Sequence, residues 1–428
     1  MSVLQNYRRP VNIIALINLI AFGLLYLYQK PLNNHIALVG GSMIGIIYLA
    51  NILVIKLKYE DEILFLIVSM LSTIGMIILC RLNPDLGLKQ ILWFVLGNVI
   101  FFCTALIYRK INFLDQLIYI YPLISFILFC LTQLFGTSVK GATNWILIGN
   151  FSFQPSEIMK LLFVFFIAAY FRHPEKLSLK NIKLGGREIS LDSKYLFSLF
   201  VYMQMGLLAL QKELGTVLLF FLMYLVLFYV FDHDARFLLA NGIIFCLGAI
   251  MGYFLFHHVQ VRVEAWLNPW ADVPGKGFQI TQSLFAIGSG GFFGTGIGLG
   301  QPDYIPEVHT DFIFSAICEE MGIFGGIAVI LLFFILFYRG IKITLQVKDS
   351  FHKAVALGVA VMFGFQAFII IGGVIKLIPL TGITLPFISY GGSSLITSFI
   401  ALGILQGISS HKSAGEEEVV HASEQENH

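Results

Sequence analysis

The sequence predicts an all-α polytopic membrane protein, and three observations lead there. Of 428 residues, 57% are hydrophobic and only 12% are charged; a soluble domain carries about 25% charged residues, so this chain lacks the charge to cover a soluble globule. Apolar runs of bilayer length, about 20 residues each, recur from Val11 to Ile408. Lys and Arg gather at alternate ends of those runs, as in a chain that crosses a membrane repeatedly. Helices are the spanning structure that such runs allow, because each satisfies its own backbone.

In order, the candidate spans are 11–28, 36–55, 62–80, 88–108, 117–134, 155–171, 195–210, 214–231, 237–256, 310–338, 354–375 and 393–409. With the N-terminus inside, the inner side receives Arg8, Arg9, Lys56, Lys58, Arg109, Lys110, the basic loop from Arg172 to Lys194, Arg236, Arg339, Lys342, Lys348 and Lys353. The outer side receives only scattered charges, among them Lys30, Arg81, Lys140, Arg262 and Lys276. This places both termini in the cytoplasm. Arg8 and Arg9 precede a long apolar run without a small-x-small cleavage site, so the start reads as a signal anchor. The polar stretch after Ser410, with Glu416, Glu417 and Glu418, predicts a disordered cytoplasmic tail. The stretch from Leu177 to Lys194 is either a solvated loop or a contact for anionic lipid or cytoplasmic partners. Five cysteines without a C-x-x-C pair read as small buried hydrophobes.

Three outer segments are rich in glycine and polar residues: 136–154, 257–309 and 376–392. Long segments of this kind are often functional. At the end of the first, Gln154-Pro155-Ser156-Glu157-Ile158-Met159-Lys160 opens a span. Pro155 suits the first helical turn. Glu157 and Lys160 share a face, and charge entering a span is costly and usually functional. The bland alternative is a neutralising structural pair. Next, Asn268-Pro269-Trp270-Ala271-Asp272 lies in the long segment. A lone loop Asp is ordinarily a turn residue. Phe278 to Gly300 follows, with Gln279, Gln282, Ser283 and seven glycines from Gly288 onward. It is either a phosphate cradle or a small-residue packing surface, and it matches no nucleotide-binding pattern. Then Glu307, His309 and Asp311 sit at the mouth of a span, with Glu319 and Glu320 further in; their spacing matches no standard metal motif. Finally Pro379 to Ser394, containing Ser389 and Tyr390, has two prolines and paired glycines that prevent a plain helix. A re-entrant segment lining a polar cavity fits. With no nucleotide site and no cytoplasmic domain, a lipid-linked substrate carrying its own leaving group would supply the energy. Nothing points to a nucleic-acid partner.

These segments resemble the shape, elongation, division and sporulation (SEDS) family. The resemblance runs from about Glu62 to Gln406 and is strongest in QPSEIMK (Gln154 to Lys160), NPWADVPGKGFQITQSLFAIGSGG (Asn268 to Gly291), IPEVHTDFIF (Ile305 to Phe314) and PLTGITLPFISYGGSS (Pro379 to Ser394). It implies a ten-helix core at 62–409, here with about two extra N-terminal spans at 1–61, a tail at 410–428, and a long extracytoplasmic loop between spans nine and ten. It implies a peptidoglycan glycosyltransferase of the bacterial cytoplasmic membrane that polymerises lipid II on the outer side, with a class B penicillin-binding protein as partner. The family's essential Asp falls on Asp272, the expected general base toward the acceptor hydroxyl. Its acidic-basic pair falls on Glu157 and Lys160. The substrate-binding candidates are Glu157, Lys160, Glu213, Gln282, Ser283, His309, Asp311, Ser389 and Tyr390. Lys160, another outer cation or a divalent metal (Mg or Mn) would stabilise the departing undecaprenyl pyrophosphate. The pattern departs where GAxRW reads Gly141 to Trp145 with Asn144 for Arg, and where QPDxGT reads Gln211 to Thr216 with Glu213 for Asp. A lipid II flippase and a non-catalytic scaffold are the competing readings, and the motifs do not separate division from elongation or sporulation.

Overall fold

The computed structural model describes residues 2–28, 32–139, 142–149, 151–184 and 187–425. Lys30, Lys140 and Gly141, used in the sequence reading, lie outside them. Fourteen α-helices carry the described fold: α1 (Ser2–Tyr28), α2 (Asn34–Lys56), α3 (Glu62–Leu82), α4 (Pro84–Tyr108), α5 (Ile120–Phe135), α6 (Pro155–Arg172), α7 (Ser193–Leu210), α8 (Leu214–Phe231), α9 (Ala235–Leu255), α10 (His257–Leu267), α11 (Phe278–Gly290), α12 (Ile313–Gln346), α13 (Ser350–Val374) and α14 (Gly392–Gln425). Among the described residues ten helices are long and apolar enough to cross a membrane. They are ten of the twelve predicted spans. The other two are helices as well: α5 is 16 residues long, and α6 carries Glu157, Lys160 and Arg172.

The helices form two compact units, each discontinuous in sequence. The first unit comprises residues 1–101, 244–337 and 366–399. Its central helix is α3, apolar on every side and buried along nearly its whole length, the pattern of a helix surrounded by others. Asp61 caps it, accepting from the Leu64 amide at 3.3 Å. The N-terminal pair docks on α3 through Asn18, whose Nδ2 donates to Thr73 Oγ1 at 2.9 Å. Their outward leucines, Leu16, Leu19, Leu24 and Leu38, are exposed and suit lipid. The segment between α13 and α14 is irregular, and its polar groups are satisfied inside the unit. Gln366 Nε2 donates to Thr384 O, and Gln90 Nε2 to Ser389 O. The plain helix that the prolines and glycines were expected to prevent is absent there.

The second unit comprises 102–243, 338–365 and 400–428. Aromatic stacking ties its helices together: Phe163 on Phe220 at 4.1 Å and Tyr170 on Phe197 at 3.9 Å. It also holds the described strands. β1 (Thr137–Val139), β2 (Ala142–Ile148) and β3 (Phe151–Phe153) form an antiparallel meander before α6, and β4 (Leu179–Leu184) with β5 (Arg187–Leu191) forms a hairpin in the basic loop.

Three expectations change. The long segment between α9 and α12 is not loop alone but holds two helices, α10 and α11. A helix, α14, runs on to Gln425 where a disordered tail was expected after Ser410; that stretch has no proline and a single glycine, Gly415, so nothing local stops it. Cys80 and Cys318 are buried, but Cys103 and Cys246 are exposed on α4 and α9. Exposed positions on such apolar helices suit lipid.

Candidate functional site

Each unit holds a polar centre. In the second unit, Gln154 is extended at the head of α6 and Pro155 occupies the first turn. This sets Glu157 and Lys160 one turn apart on the buried face. Lys160 Nζ lies 2.7 Å from Glu157 Oε2, with each side chain 7% exposed. Glu213, in the tight turn between α7 and α8, meets the head of α6. The preceding Lys212 has φ +63°, a left-handed conformation that forces the turn. Glu213 accepts from Gln154 Nε2 at 3.1 Å and from Thr216 Oγ1 at 3.2 Å, and from Ser156 and Asn144. Burial pushes its carboxyl above the ordinary range and Glu157 adds to this, while those hydrogen bonds oppose. Asn144 and Glu213, the two departures from the family pattern, thus bond to each other. Sequence reading noted both separately and had no signal that they meet.

In the first unit, the stretch Pro269–Asp272 is one 3-10 turn, and Asp272 is exposed. Its Oδ2 accepts from the Lys276 amide at 3.1 Å. Its carbonyl accepts from the amides of Gly275 and Gly277. A Cβ at Gly277 would stand 2.0 Å from Pro269 O, so the turn requires glycine there. Lys276 Nζ pairs with Glu264 Oε2 at 2.8 Å, which holds its ammonium protonated above the ordinary range.

In the same unit, the mouth of α12 and the irregular segment before α14 interlock. Glu307 has φ +60° and its carbonyl accepts from the Thr310 and Asp311 amides. The Tyr390 amide donates to His309 O at 2.9 Å, and the two rings meet edge to face at 5.9 Å. Arg262 of α10, not singled out in the sequence, donates to the carbonyls of Leu380 and Thr381. Burial lowers its pKa and Asp311 opposes that. Its signal was an Arg in a loop otherwise poor in cations.

Two candidates take other roles. Ser283 is fully buried; its hydroxyl is shared with Ser315 at 2.7 Å and donates to Val374 O at 3.1 Å. It ties α11 to α12 and α13, so we assign it to packing. Ser389 is buried too. Its hydroxyl accepts from the Leu385 amide and donates to Thr310 O at 2.6 Å, fixing the loop. Gln282 is half-buried on α11.

The glycine-rich stretch after α11 is a packing surface. A Cβ at Gly290 would stand 2.1 Å from Cys318 O, and α12 breaks at Gly322 (φ +71°) to accommodate the approach. The amides of Gly298 and Gln301, available to a phosphate in the other reading, already hold Glu320 Oε2 and Glu319 Oε1.

Comparison with known proteins adds the following. The FTSW_RODA_SPOVE family, described as Cell cycle protein, matches residues 61–414. Peptidoglycan glycosyltransferase RodA of Mycobacterium tuberculosis is 35% identical over 368 residues, covering 82% of this chain and 78% of that protein. Stage V sporulation protein E of Bacillus subtilis is 39% identical over 277 residues, 64% of this chain and 73% of that protein. A chain from a peptidoglycan synthase complex, studied for its coordination of polymerization and crosslinking, aligns with TM-score 0.66 at 26% identity, covering 82% of this chain and 98% of that one.

Proposed function

The chain belongs to the FtsW, RodA and SpoVE family, and from that premise we propose that it is a peptidoglycan glycosyltransferase that polymerises lipid II into glycan strands at the outer face of the cytoplasmic membrane. The observation that carries the reading is Asp272, an exposed carboxylate within the matched stretch whose turn is fixed by backbone amides. In the reaction, Asp272 takes the proton from the 4-hydroxyl of the incoming disaccharide as that oxygen bonds the anomeric carbon of the lipid-linked strand. The bond to undecaprenyl pyrophosphate breaks, and positive charge builds at the anomeric carbon meanwhile. Lys160, nearly buried beside Glu157, is the cation we assign to phosphate oxygens of a lipid-linked substrate. Glu213, held at the head of α6 by Gln154 and Thr216, is the further carboxyl we assign to this polar centre.

Among the described residues no group of three or more His, Cys, Asp and Glu stands together, so any divalent cation would rely on one or two carboxylates and the substrate's own phosphates. No step is routed through a metal. We assign a class B penicillin-binding protein as partner, since a structural relative comes from a complex that joins polymerization to crosslinking. Both termini are placed in the cytoplasm on the distribution of Lys and Arg.

The test is glycan formation from purified lipid II by the reconstituted protein, with and without such a partner, beside Asp272→Ala. Polymer from wild type alone is the expected result. Polymer from both removes Asp272 from the base role. No polymer from either, with the partner present, overturns the glycosyltransferase reading.

A further inference from the structure

A buried ion cluster in the first unit takes no part in the chemistry described so far. Arg81, in the last turn of α3, reaches three separate oxygens. Nη1 donates to Asp303 Oδ2 at 2.6 Å, Nη2 donates to Gly300 O, and Nε pairs with Glu320 Oε1. The Glu320 carboxylate is fully buried, and Arg81 is 10% exposed. The other oxygen of Glu320 accepts from the Gly298 amide at 3.1 Å, and Glu319 Oε1 accepts from the Gln301 amide at 2.7 Å. Backbone bonds continue the strap: Thr295 N to Glu319 O at 2.9 Å, Gly296 N to Glu320 O at 3.1 Å, and Ile323 N to Gly291 O at 2.9 Å. Residues 291–303 are therefore laced to α3 and to the break in α12. The extra N-terminal helix closes over them, with Tyr28 and Leu25 of α1 lying 3.3 and 3.9 Å from where a Gly298 Cβ would stand.

Stability does not explain this cluster. Taking a carboxylate and a guanidinium out of water costs about what their attraction returns, and apolar replacements of a buried pair are often neutral or stabilising. What the pair adds is geometry, because the guanidinium fork joins α3 to two segments at once, residues 291–303 and α12. The strapped segment begins at the end of α11. α11 is a single rod of about 20 Å, and its other end carries the Asp272 turn through Gly277 N to Asp272 O at 3.0 Å. We propose that Arg81 and Glu320 are positioning residues for glycosyl transfer: they fix the far end of α11 so that its near end holds Asp272 in place. This rests on Asp272 as the base.

The test compares wild type, Arg81→Met with Glu320→Leu, Arg81→Lys and Asp303→Asn, each reconstituted, by thermal melting and by initial polymerisation rates over a range of lipid II concentrations. The double variant removes both buried charges and is expected to melt at or above wild type. Its kcat should fall about 10- to 100-fold, the scale set by a misplaced catalytic group, with KM changed by less than about twofold. Arg81→Lys keeps the charge without the fork and should fall between. Asp303 is exposed, so Asp303→Asn folds and shows a smaller loss in kcat at unchanged KM. Wild-type kcat in both the double variant and Asp303→Asn overturns the proposal. So does a rate loss that appears only with a lowered melting temperature, or one confined to KM. Asp272→Ala is run alongside: activity there sinks the base reading itself, whereas an inactive Asp272→Ala beside fully active cluster variants sinks only the positioning role.

Discussion

Replacing Lys160 by Met tests whether the Glu157–Lys160 pair is a matched unit inside the protein. At 2.7 Å and 7% exposure on both sides, the pair attracts by about 6 kcal/mol at an effective dielectric of about 20. Desolvation of the two ions offsets much of that. The single variant keeps the desolvation of Glu157 and loses the attraction, so its expected cost is about 3–5 kcal/mol. Glu157→Leu carries a similar cost for the opposite reason. Both changes together remove both charges and should recover most of the loss. A double-mutant cycle by thermal or denaturant unfolding in the same detergent therefore yields a coupling of more than about 2 kcal/mol. Polymerisation should be lost in Lys160→Met and in the double variant, because neither keeps the cation even though the double variant restores packing. Additive single effects would mean that the carboxylate and ammonium do not depend on one another, and the reasoning would fail. So would wild-type polymerisation by the double variant.

Two further outcomes are expected. The Glu213 carboxyl is raised by burial above its ordinary 4.5, so its protonated form is the one the fold favours. Whatever stability that contributes is present below the unfolded pKa and is lost as pH rises through the folded value. Glu213→Gln removes the ionisation, so melting of wild type and variant between about pH 4 and about pH 8 should diverge in favour of the variant as pH rises; a gap that narrows with pH would refute this. Gly322→Ala places a Cβ 2.3 Å from Phe292 O at φ +71°. The strained backbone alone costs about 1–3 kcal/mol, and the clash adds to it, so a clear drop in melting temperature is expected and unchanged melting would argue against the break in α12.

The membrane class, the twelve helices and the family were legible in the sequence, each for a local reason. Hydrophobicity over 20 residues is a property of a single stretch, as is Pro155 at a helix start or Asn268 to Gly277 around a turn. Runs at 117–134 and 155–171 proved to be helices even where length or charge makes them weaker spans. Glycine-rich composition, by contrast, did not reveal α11, because a helix braced by its neighbours tolerates residues that an isolated one does not.

The sequence by itself determined which segments enter the membrane and which residues are out of place there: Glu157, Lys160, Glu319 and Glu320. Only the tertiary structure decided what those residues meet. Arg81 and Glu320 are 239 positions apart by their numbers, and Asn144 and Glu213 lie in a strand and a turn on either side of two helices. A charge buried in a low-dielectric interior must find its partner in space, and no local pattern encodes a partner that distant. Likewise the amides after α11 are equally available to a phosphate or to a carboxylate in sequence terms. The fold settles it, because α12 breaks at Gly322 and delivers Glu319 and Glu320 to them.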